Sequence, residues 1–156
     1  MGVTLLFTGA TILQCRKPRW GLGRLYAAIM NRSHGALTAW GLTHVAVEKG
    51  YTILDMGCGG GRTIGTLAAM ASEGKVYGAD YSADSVAVAR RTNAELIVAG
   101  RVEIVQSSVS SLPFADDMFD LITAVETHYY WPAPVSDLRS CAEESGGSHL
   151  RFFGDS

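Results

Sequence analysis

The chain has 156 residues, the size of one domain with a substantial core, and 47% of them are hydrophobic. Its formal net charge is −2 and it carries no basic block or stripe, which argues against nucleic acid as a partner. The four histidines and three cysteines lack metal-ligand spacing, so we predict no metal site and take a reducing, cytoplasmic location as the simplest interpretation.

The first 50 residues are predicted to precede the sheet. Residues 1–20 read as an irregular leader, in which the apolar stretch Val3–Cys15 is too short to span a bilayer and has the wrong charge order for a secretory signal. Apolar residues at helical spacing then predict two helices, Leu22–Met30 and Gly35–Val47, and Gly50 is expected to end the second. We expect no membrane partner.

Beyond residue 50, predicted strands alternate with predicted helices. The strands are Thr52–Met56, Lys75–Ala79, Val102–Gln106, Phe119–Val125 and, less regularly placed, His149–Phe153. The helices are Thr63–Ser72, Ser82–Val98 with Ser82 as its cap, and a short one near Val135–Glu143. This alternation predicts an α/β fold, with a mostly parallel sheet, right-handed crossovers and helices on both faces.

A glycine-rich turn follows the first strand. The strand closes on Asp55, and Gly57, Gly59 and Gly61 come next, before a helix. Glycine lets the backbone turn sharply and lets a ligand approach without a Cβ in the way. In an open α/β sheet, ligands bind at such carboxyl-terminal strand ends, so this turn is the candidate binding site.

The residues around the turn narrow the choice of ligand. A phosphate-binding loop needs a lysine that is absent, and a dinucleotide fingerprint needs a third spaced glycine where Arg62 or Ile64 stands. Asp55 suits a cationic group, and Asp80, at the end of the second strand, suits ribose hydroxyls. A ribose-bearing cation without phosphate, such as S-adenosylmethionine, satisfies all of these conditions.

Three segments carry a family resemblance. They are ILDMGCGGGRT (53–63), VYGADYS (76–82) and SSLPFADDMFDLITAVET (110–127), within a similar region of roughly residues 20–138. With this spacing the chain resembles class I S-adenosylmethionine-dependent methyltransferases, most closely the small-molecule group related to the ubiquinone/menaquinone C-methyltransferases. The resemblance implies a Rossmann-like three-layer sandwich with strand order 3-2-1-4-5.

The resemblance also implies roles for individual cofactor-binding residues. The residues expected to wrap the methionine part of S-adenosylmethionine are Asp55, Gly57, Cys58, Gly59 and Gly61. Asp80 is expected to bind the ribose and Tyr81 to lie against the adenine. Glu126 is expected to border the methionine end. The family often places an acid after the third strand, where this chain has Ser108, so the Ser108 hydroxyl and the Val109 backbone would hold the adenine. Asp55 and Asp80 could instead cap the helices that follow them, and Cys58 could be merely a small residue in a tight turn.

Candidate substrate residues follow the fourth strand. His128 could act as a general base or have a structural role, and Tyr129, Tyr130 and Trp131 could form an aromatic wall or pack into the core. The expected reaction is in-line methyl transfer to a small molecule, with S-adenosylhomocysteine as product. A catalytically silent S-adenosylmethionine-binding module is the alternative, and a nucleotide-binding oxidoreductase is disfavoured by Asp55 and Arg62.

The resemblance stops after Leu138, and the family's strands 6 and 7 are not predicted. We therefore expect one domain over residues 21–156, with N-terminal helices (21–50), a core (51–138) and an atypical tail (139–156) produced by truncation or a shifted reading frame. The missing strands would leave a sheet edge exposed, which predicts a homodimer through that edge.

Overall fold

The structure is a computed structural model that describes residues 35–125, 127, 131, 133, 136 and 150–153. The predicted leader, the predicted helix Leu22–Met30 and all but Ser136 of the predicted helix Val135–Glu143 lie outside the described residues. The division of the chain into leader, domain and tail stays a prediction. Among the described helices, none combines the length and the apolar character needed to cross a membrane.

Within the described residues the chain forms four helices and five strands. They are α1 (Gly35–Leu42), β1 (Thr52–Met56), α2 (Arg62–Met70), β2 (Lys75–Asp80), α3 (Ala83–Thr92), α4 (Ala94–Val98), β3 (Val102–Gln106), β4 (Leu121–Val125) and β5 (Leu150–Phe153). The sheet has the order β3-β2-β1-β4-β5, and each neighbouring pair is parallel. This arrangement confirms the predicted Rossmann-like fold and its strand order.

The helix after the glycine turn runs over Arg62–Met70, within two residues of the predicted Thr63–Ser72, and two other predicted helices differ more. The helix predicted to run to Val47 ends at Leu42, before Gly50, because the chain turns at once: the amides of Thr43 and His44 donate to the carbonyls of Trp40 and Gly41. The single helix predicted over Ser82–Val98 is two helices, α3 and α4, divided at Asn93.

The break at Asn93 has a structural reason. Asn93 is buried although it is polar, with φ −111° and ψ 22°, outside the helical range. Ala94, the next residue, is exposed. The side chain of Asn93 takes the inward place that a continuous helix would have given to an apolar residue.

The fourth strand begins two residues later than predicted. Asp120 joins the start of β1, because its amide donates to the Thr52 carbonyl at 2.9 Å and its carboxylate accepts from the Thr52 amide at 2.7 Å. The parallel ladder then begins with Ile53 opposite Leu121. Phe119 stays outside the strand, buried in the core.

The sheet is buried on both faces, as its apolar strands predict. Since successive side chains of a strand point to opposite faces, β1 supplies Ile53 to one core and Leu54 to the other. The helical face adds Ile64, Leu67, Val76, Val86, Ala89, Val102, Ile104 and Leu121. The described residues on the opposite face are Met56, Ala79, Phe119, Ile122, Ala124 and Trp131, with Phe114 packed against them.

Arg101 secures the end of α2 at the amino-terminal side of the sheet. Its guanidinium donates to four backbone carbonyls. The distances are 2.6 Å to Gly74, 2.6 Å to Ser72 and 3.0 Å to Ala68, and the fourth carbonyl is that of Ala71. These groups belong to the last turn of α2 and the connection to β2, where unpaired carbonyls and the helix dipole favour a cation.

We expect Arg101→Met to lower the free energy of unfolding by about 2 kcal/mol, because several carbonyls lose a charged donor. Urea unfolding followed by circular dichroism measures this change. Arg91→Met is the matched control: Arg91 donates to Ala87 on the exposed surface of its own helix, so the loss should stay within about 0.5 kcal/mol. Equal stability of the two variants would contradict the capping role of Arg101.

Candidate functional site

The glycine turn is fixed to the end of β2 by its backbone. The amides of Gly57 and Cys58 both donate to the Ala79 carbonyl, at 2.8 and 3.1 Å, and the Gly61 amide donates to the Cys58 carbonyl at 2.9 Å. Gly57, Gly59 and Gly61 have φ of 68°, 52° and 78°. The turn thus follows a path that residues with side chains rarely adopt.

Space above the turn is open at Gly59. A Cβ built on Gly59 would have no atom within 4 Å, whereas one on Gly57 would lie 2.1 Å from the hydroxyl oxygen of Thr127. Gly57 therefore lacks a side chain because the protein itself fills the space. Gly59 lacks one although the protein leaves its space empty, which is what close approach of a ligand to the backbone requires.

Asp80 ties the turn to the second strand. Its Oδ2 accepts from the Gly59 amide at 2.9 Å and its Oδ1 accepts from the Ser82 amide at 2.8 Å. Ser82 is the N-cap of α3, with its hydroxyl oxygen accepting from Ser85, as predicted. Asp80 is therefore not the helix cap. Burial raises the pKa of Asp80, and the two amide donors oppose that shift.

Asp55 lies beneath the turn, 2% exposed. The pairing of β1 with β4 places Asp55 opposite Thr123, whose hydroxyl donates to Asp55 Oδ1 at 2.8 Å. Burial raises the pKa of Asp55 to about 7, against the Thr123 hydrogen bond and with a smaller contribution from the charge of Asp80. Asp55 does not cap α2, which begins after Gly61 without a side-chain cap.

Cys58 packs into the core below the turn. Its Sγ lies against Gly78, where an added Cβ would meet the sulfur at 3.1 Å. Burial raises the pKa of the Cys58 thiol well above its ordinary value, so the thiol stays protonated at neutral pH. This supports the interpretation of Cys58 as a small residue in a tight turn.

The predicted adenine-side residues lie along the same sheet edge. The Ser107 amide donates to the Asp80 carbonyl at 3.0 Å, which brings the loop after β3 next to Asp80. In that loop the Ser108 hydroxyl accepts from the Ser110 amide at 3.3 Å, and Val109 is half-buried against the core. Tyr81 is 44% exposed. The adenine contacts of these residues stay a prediction.

The substrate-side candidates are mostly outside the described residues. His128, Tyr129 and Tyr130 lie outside the described residues, as does Glu126, the residue predicted at the methionine end of the cofactor. Trp131 is described: it is buried in the core, and its indole Nε1 donates to the Thr127 hydroxyl at 3.3 Å. Its position favours core packing over an exposed aromatic wall.

Three residues make contacts with the turn or with Asp55 that were not expected from the sequence: Thr123, Thr127 and Asn93. Thr123 could have been found from the register of β4 against β1, since a buried hydroxyl opposite Asp55 needs a partner. Thr127 and Asn93 meet the turn through contacts between distant segments, and no local sequence signal marks them. Among the residues that the structure describes, no group of three or more His, Cys, Asp or Glu side chains could hold a metal ion.

The geometry fits S-adenosylmethionine. The Asp80 oxygens accept one amide each and keep further lone pairs for ribose hydroxyls. The open backbone at Gly59 admits a ligand, and the first turn of α2, which begins without a side-chain cap, presents the positive end of the helix dipole to a carboxylate. Asp55 and Asp80 together provide negative charge for a cationic group.

Comparison with known proteins agrees with this site. The model of the family described as "Methyltransferase domain" matches residues 53–145. Over 78 residues, or 49% of this chain, the sequence is 35% identical to a demethylmenaquinone methyltransferase of Bacillus mycoides and 37% identical to a ubiquinone/menaquinone biosynthesis C-methyltransferase of Escherichia fergusonii. The matched segment covers only 32% and 31% of those two proteins, so the chain spans about a third of their length.

Solved structures show the same fold. A S-adenosylmethionine-dependent methyltransferase from Aquifex aeolicus is similar over 83% of this chain and 71% of its own, with a TM-score of 0.71 and 21% identity. The structure of a Haloferax volcanii methyltransferase activator with a putative methyltransferase gives a TM-score of 0.71 and 26% identity, over 78% of this chain and 51% of that one. Because the family model matches more than half of its residues, the chain belongs to the methyltransferase domain family, as a class I domain whose cofactor is S-adenosylmethionine.

Proposed function

We propose that the chain binds S-adenosylmethionine at the glycine turn and transfers its methyl group to a small-molecule acceptor. One observation carries the proposal: the space above Gly59 is open, while the buried acids Asp55 and Asp80 adjoin the same turn. The site thus combines close backbone access with negative charge and ribose acceptors. These features suit a cationic nucleoside better than a pyrophosphate, which Asp55 would repel.

We propose that the protein accelerates the reaction mainly by positioning the cofactor and the acceptor. When bound, the cofactor supplies a sulfonium-activated methyl group whose carbon–sulfur bond breaks as the acceptor atom attacks, leaving S-adenosylhomocysteine. Asp80 would orient the ribose, the turn amides and α2 would hold the methionine part, and Asp55 would favour the positive end. Alignment and exclusion of water can supply most of the acceleration, and a base is required only if the acceptor must lose a proton.

The acceptor belongs to the proposal as well. The two named relatives carry demethylmenaquinone and ubiquinone/menaquinone biosynthesis in their names, which makes a quinone-type ring the first acceptor to test. The cytoplasmic location and the homodimer through the exposed sheet edge stay predictions. Light scattering at high protein concentration tests the dimer, and a monomer would count against it.

Calorimetric titration tests the binding step. We expect S-adenosylmethionine and S-adenosylhomocysteine to bind with dissociation constants in the micromolar range, on the order of −8 kcal/mol, and NAD not to bind. The control is Asp80→Asn, which keeps the size of the side chain but weakens its acceptance from ribose hydroxyls, so both ligands should bind more weakly. Binding of NAD without binding of S-adenosylmethionine would overturn the proposal.

Methyl transfer is tested separately from binding. Labelled S-adenosylmethionine is incubated with the protein and a panel of small molecules that includes demethylmenaquinone. Transfer of label to one of them supports the enzyme. Tight cofactor binding without transfer to any acceptor, in the panel or in a cell extract, would favour the catalytically silent binding module instead.

A further inference from the structure

We infer that Asn93 is a positioning residue for the cofactor-binding turn; the inference rests on the proposed function. Asn93 divides α3 from α4 and is 3% exposed. It lies 32 positions from Gly61 in the chain, yet its amide Nδ2 donates to the Gly61 carbonyl at 2.9 Å. The same nitrogen donates to the Ala89 carbonyl at 3.0 Å. One buried side chain thus joins the last residue of the turn to the end of α3.

The contact between the turn and α3 is close. A Cβ built on Gly61 would lie 2.6 Å from Asn93 Nδ2 and 2.9 Å from the Cα of Ala89. The side-chain oxygen of Asn93 faces α2, 3.5 Å from where a Cβ on Gly65 would be. Asn93 is therefore wedged between the start of α2 and the end of α3, and the bare Gly61 makes room for it.

The chemistry of the contact requires a donor. Both partners of Nδ2 are carbonyl oxygens, which only accept, so the NH₂ group satisfies two acceptors at once. A carboxylate of the same size would bring negative charge against both carbonyls. Alanine would remove the side-chain donor from both carbonyls and leave a small gap, although the backbone amide of residue 93 would still donate to the Ala89 carbonyl.

The hydrogen bond acts where the turn becomes a helix. Gly61 immediately precedes Arg62, the first residue of α2, and its amide closes the turn on the Cys58 carbonyl. Fixing the Gly61 carbonyl therefore sets the direction of the turn relative to the first amides of α2. These are the groups proposed to hold the methionine part of the cofactor. Asp80 fixes the turn at Gly59, and Asn93 fixes it at Gly61.

The test compares Asn93→Asp and Asn93→Ala with Arg101→Met. Arg101 caps the opposite end of α2, at the amino-terminal side of the sheet, so Arg101→Met lowers stability without touching the turn. Three measurements are made on each full-length variant: the thermal midpoint, hydrogen exchange of the turn amides without ligand, and calorimetric affinity for S-adenosylmethionine. Asn93→Ser, which keeps an O–H donor, is the milder variant if Asn93→Asp does not fold.

We expect all of these variants to melt earlier. Only the Asn93 variants should show faster hydrogen exchange at the Gly59 and Gly61 amides. Only they should bind S-adenosylmethionine at least about tenfold more weakly, and Asn93→Ser should lose less affinity than Asn93→Ala. Unchanged turn exchange in Asn93→Ala, or equal loss of affinity in Arg101→Met, would overturn the inference. If the wild-type protein itself binds no S-adenosylmethionine, the proposed function fails, and the exchange data alone decide whether Asn93 fixes the turn.

Discussion

Gly59→Ala is expected to abolish S-adenosylmethionine binding while the unliganded protein still folds. The new methyl group meets no protein atom within 4 Å, so the cost to the fold is the left-handed backbone at φ 52°, about 1 kcal/mol. In the proposed complex, however, the methyl group occupies space that the ligand needs. Calorimetric titration and thermal unfolding of the same sample separate the two effects.

The matched control is Gly100→Ala. Gly100 has φ 72° and equally open surroundings, but it lies between α4 and β3, away from the turn. Its replacement should cost similar stability, about 1 kcal/mol, and leave the affinity unchanged. Gly57→Ala cannot separate an effect on ligand binding from an effect on stability, because its methyl group would collide with Thr127. Wild-type affinity in Gly59→Ala would show that no ligand approaches the backbone there.

Asp55→Asn is expected to remove a pH dependence of stability. The pKa of Asp55 is about 7 in the folded protein and 3.8 as its ordinary value, so between these pH values the folded state holds a proton that the unfolded state has lost. The free energy of unfolding therefore falls as pH rises through that window. Above pH 7 the buried carboxyl is ionised, and the whole cost of its ionisation is subtracted from the stability. At 1.36 kcal/mol per unit, the penalty is at most about 4 kcal/mol.

The neutral amide of Asp55→Asn can still accept from Thr123, so this variant should be more stable than wild type at pH 8 and equally stable near pH 4. Urea unfolding across this range measures the difference. The control is Asp116→Asn, at an exposed carboxylate of the loop before β4, whose free energy of unfolding should depend on pH as that of the wild type does. If the free energy of unfolding of Asp55→Asn changed with pH as steeply as that of the wild type, Asp55 would not be the source of the pH dependence.

Cofactor affinity should change in the opposite direction to stability. A cationic ligand favours the ionised form of Asp55, so wild-type affinity for S-adenosylmethionine should rise as pH passes through 7. In Asp55→Asn the affinity should be lower and nearly independent of pH in this range. Such a result would identify Asp55 as an acid kept at a cost in stability for the sake of binding.

Local patterns in the sequence were sufficient to locate the first three strands and the glycine turn. Apolar runs of strand length, each bounded by glycine or an acid, located β1, β2 and β3, and a serine cap located the start of α3. The spacing of Asp55 and Asp80 placed two acids at carboxyl-terminal strand ends. These features depend on residues close together in the chain, and for that reason they can be read from it directly.

The partners of those acids and glycines required the tertiary structure. Parallel pairing sets Thr123 opposite Asp55, and burial of that pair, which no local pattern expresses, raises the pKa. The helix break at Asn93 has the same origin, since helical periodicity over residues 82–98 is satisfied by one continuous helix. Packing against Gly61 overrides that local preference.

The glycine turn shows both contributions in one element. Its position, its sharp backbone path and its lack of a phosphate-binding lysine follow from the order of residues 55–63. Which glycine faces the ligand and which faces the protein does not: Gly57 and Gly61 abut Thr127 and Asn93, and Gly59 alone of these three borders open space. That division depends on segments more than 30 residues away, whose approach to the turn is decided by the packing of strands and helices.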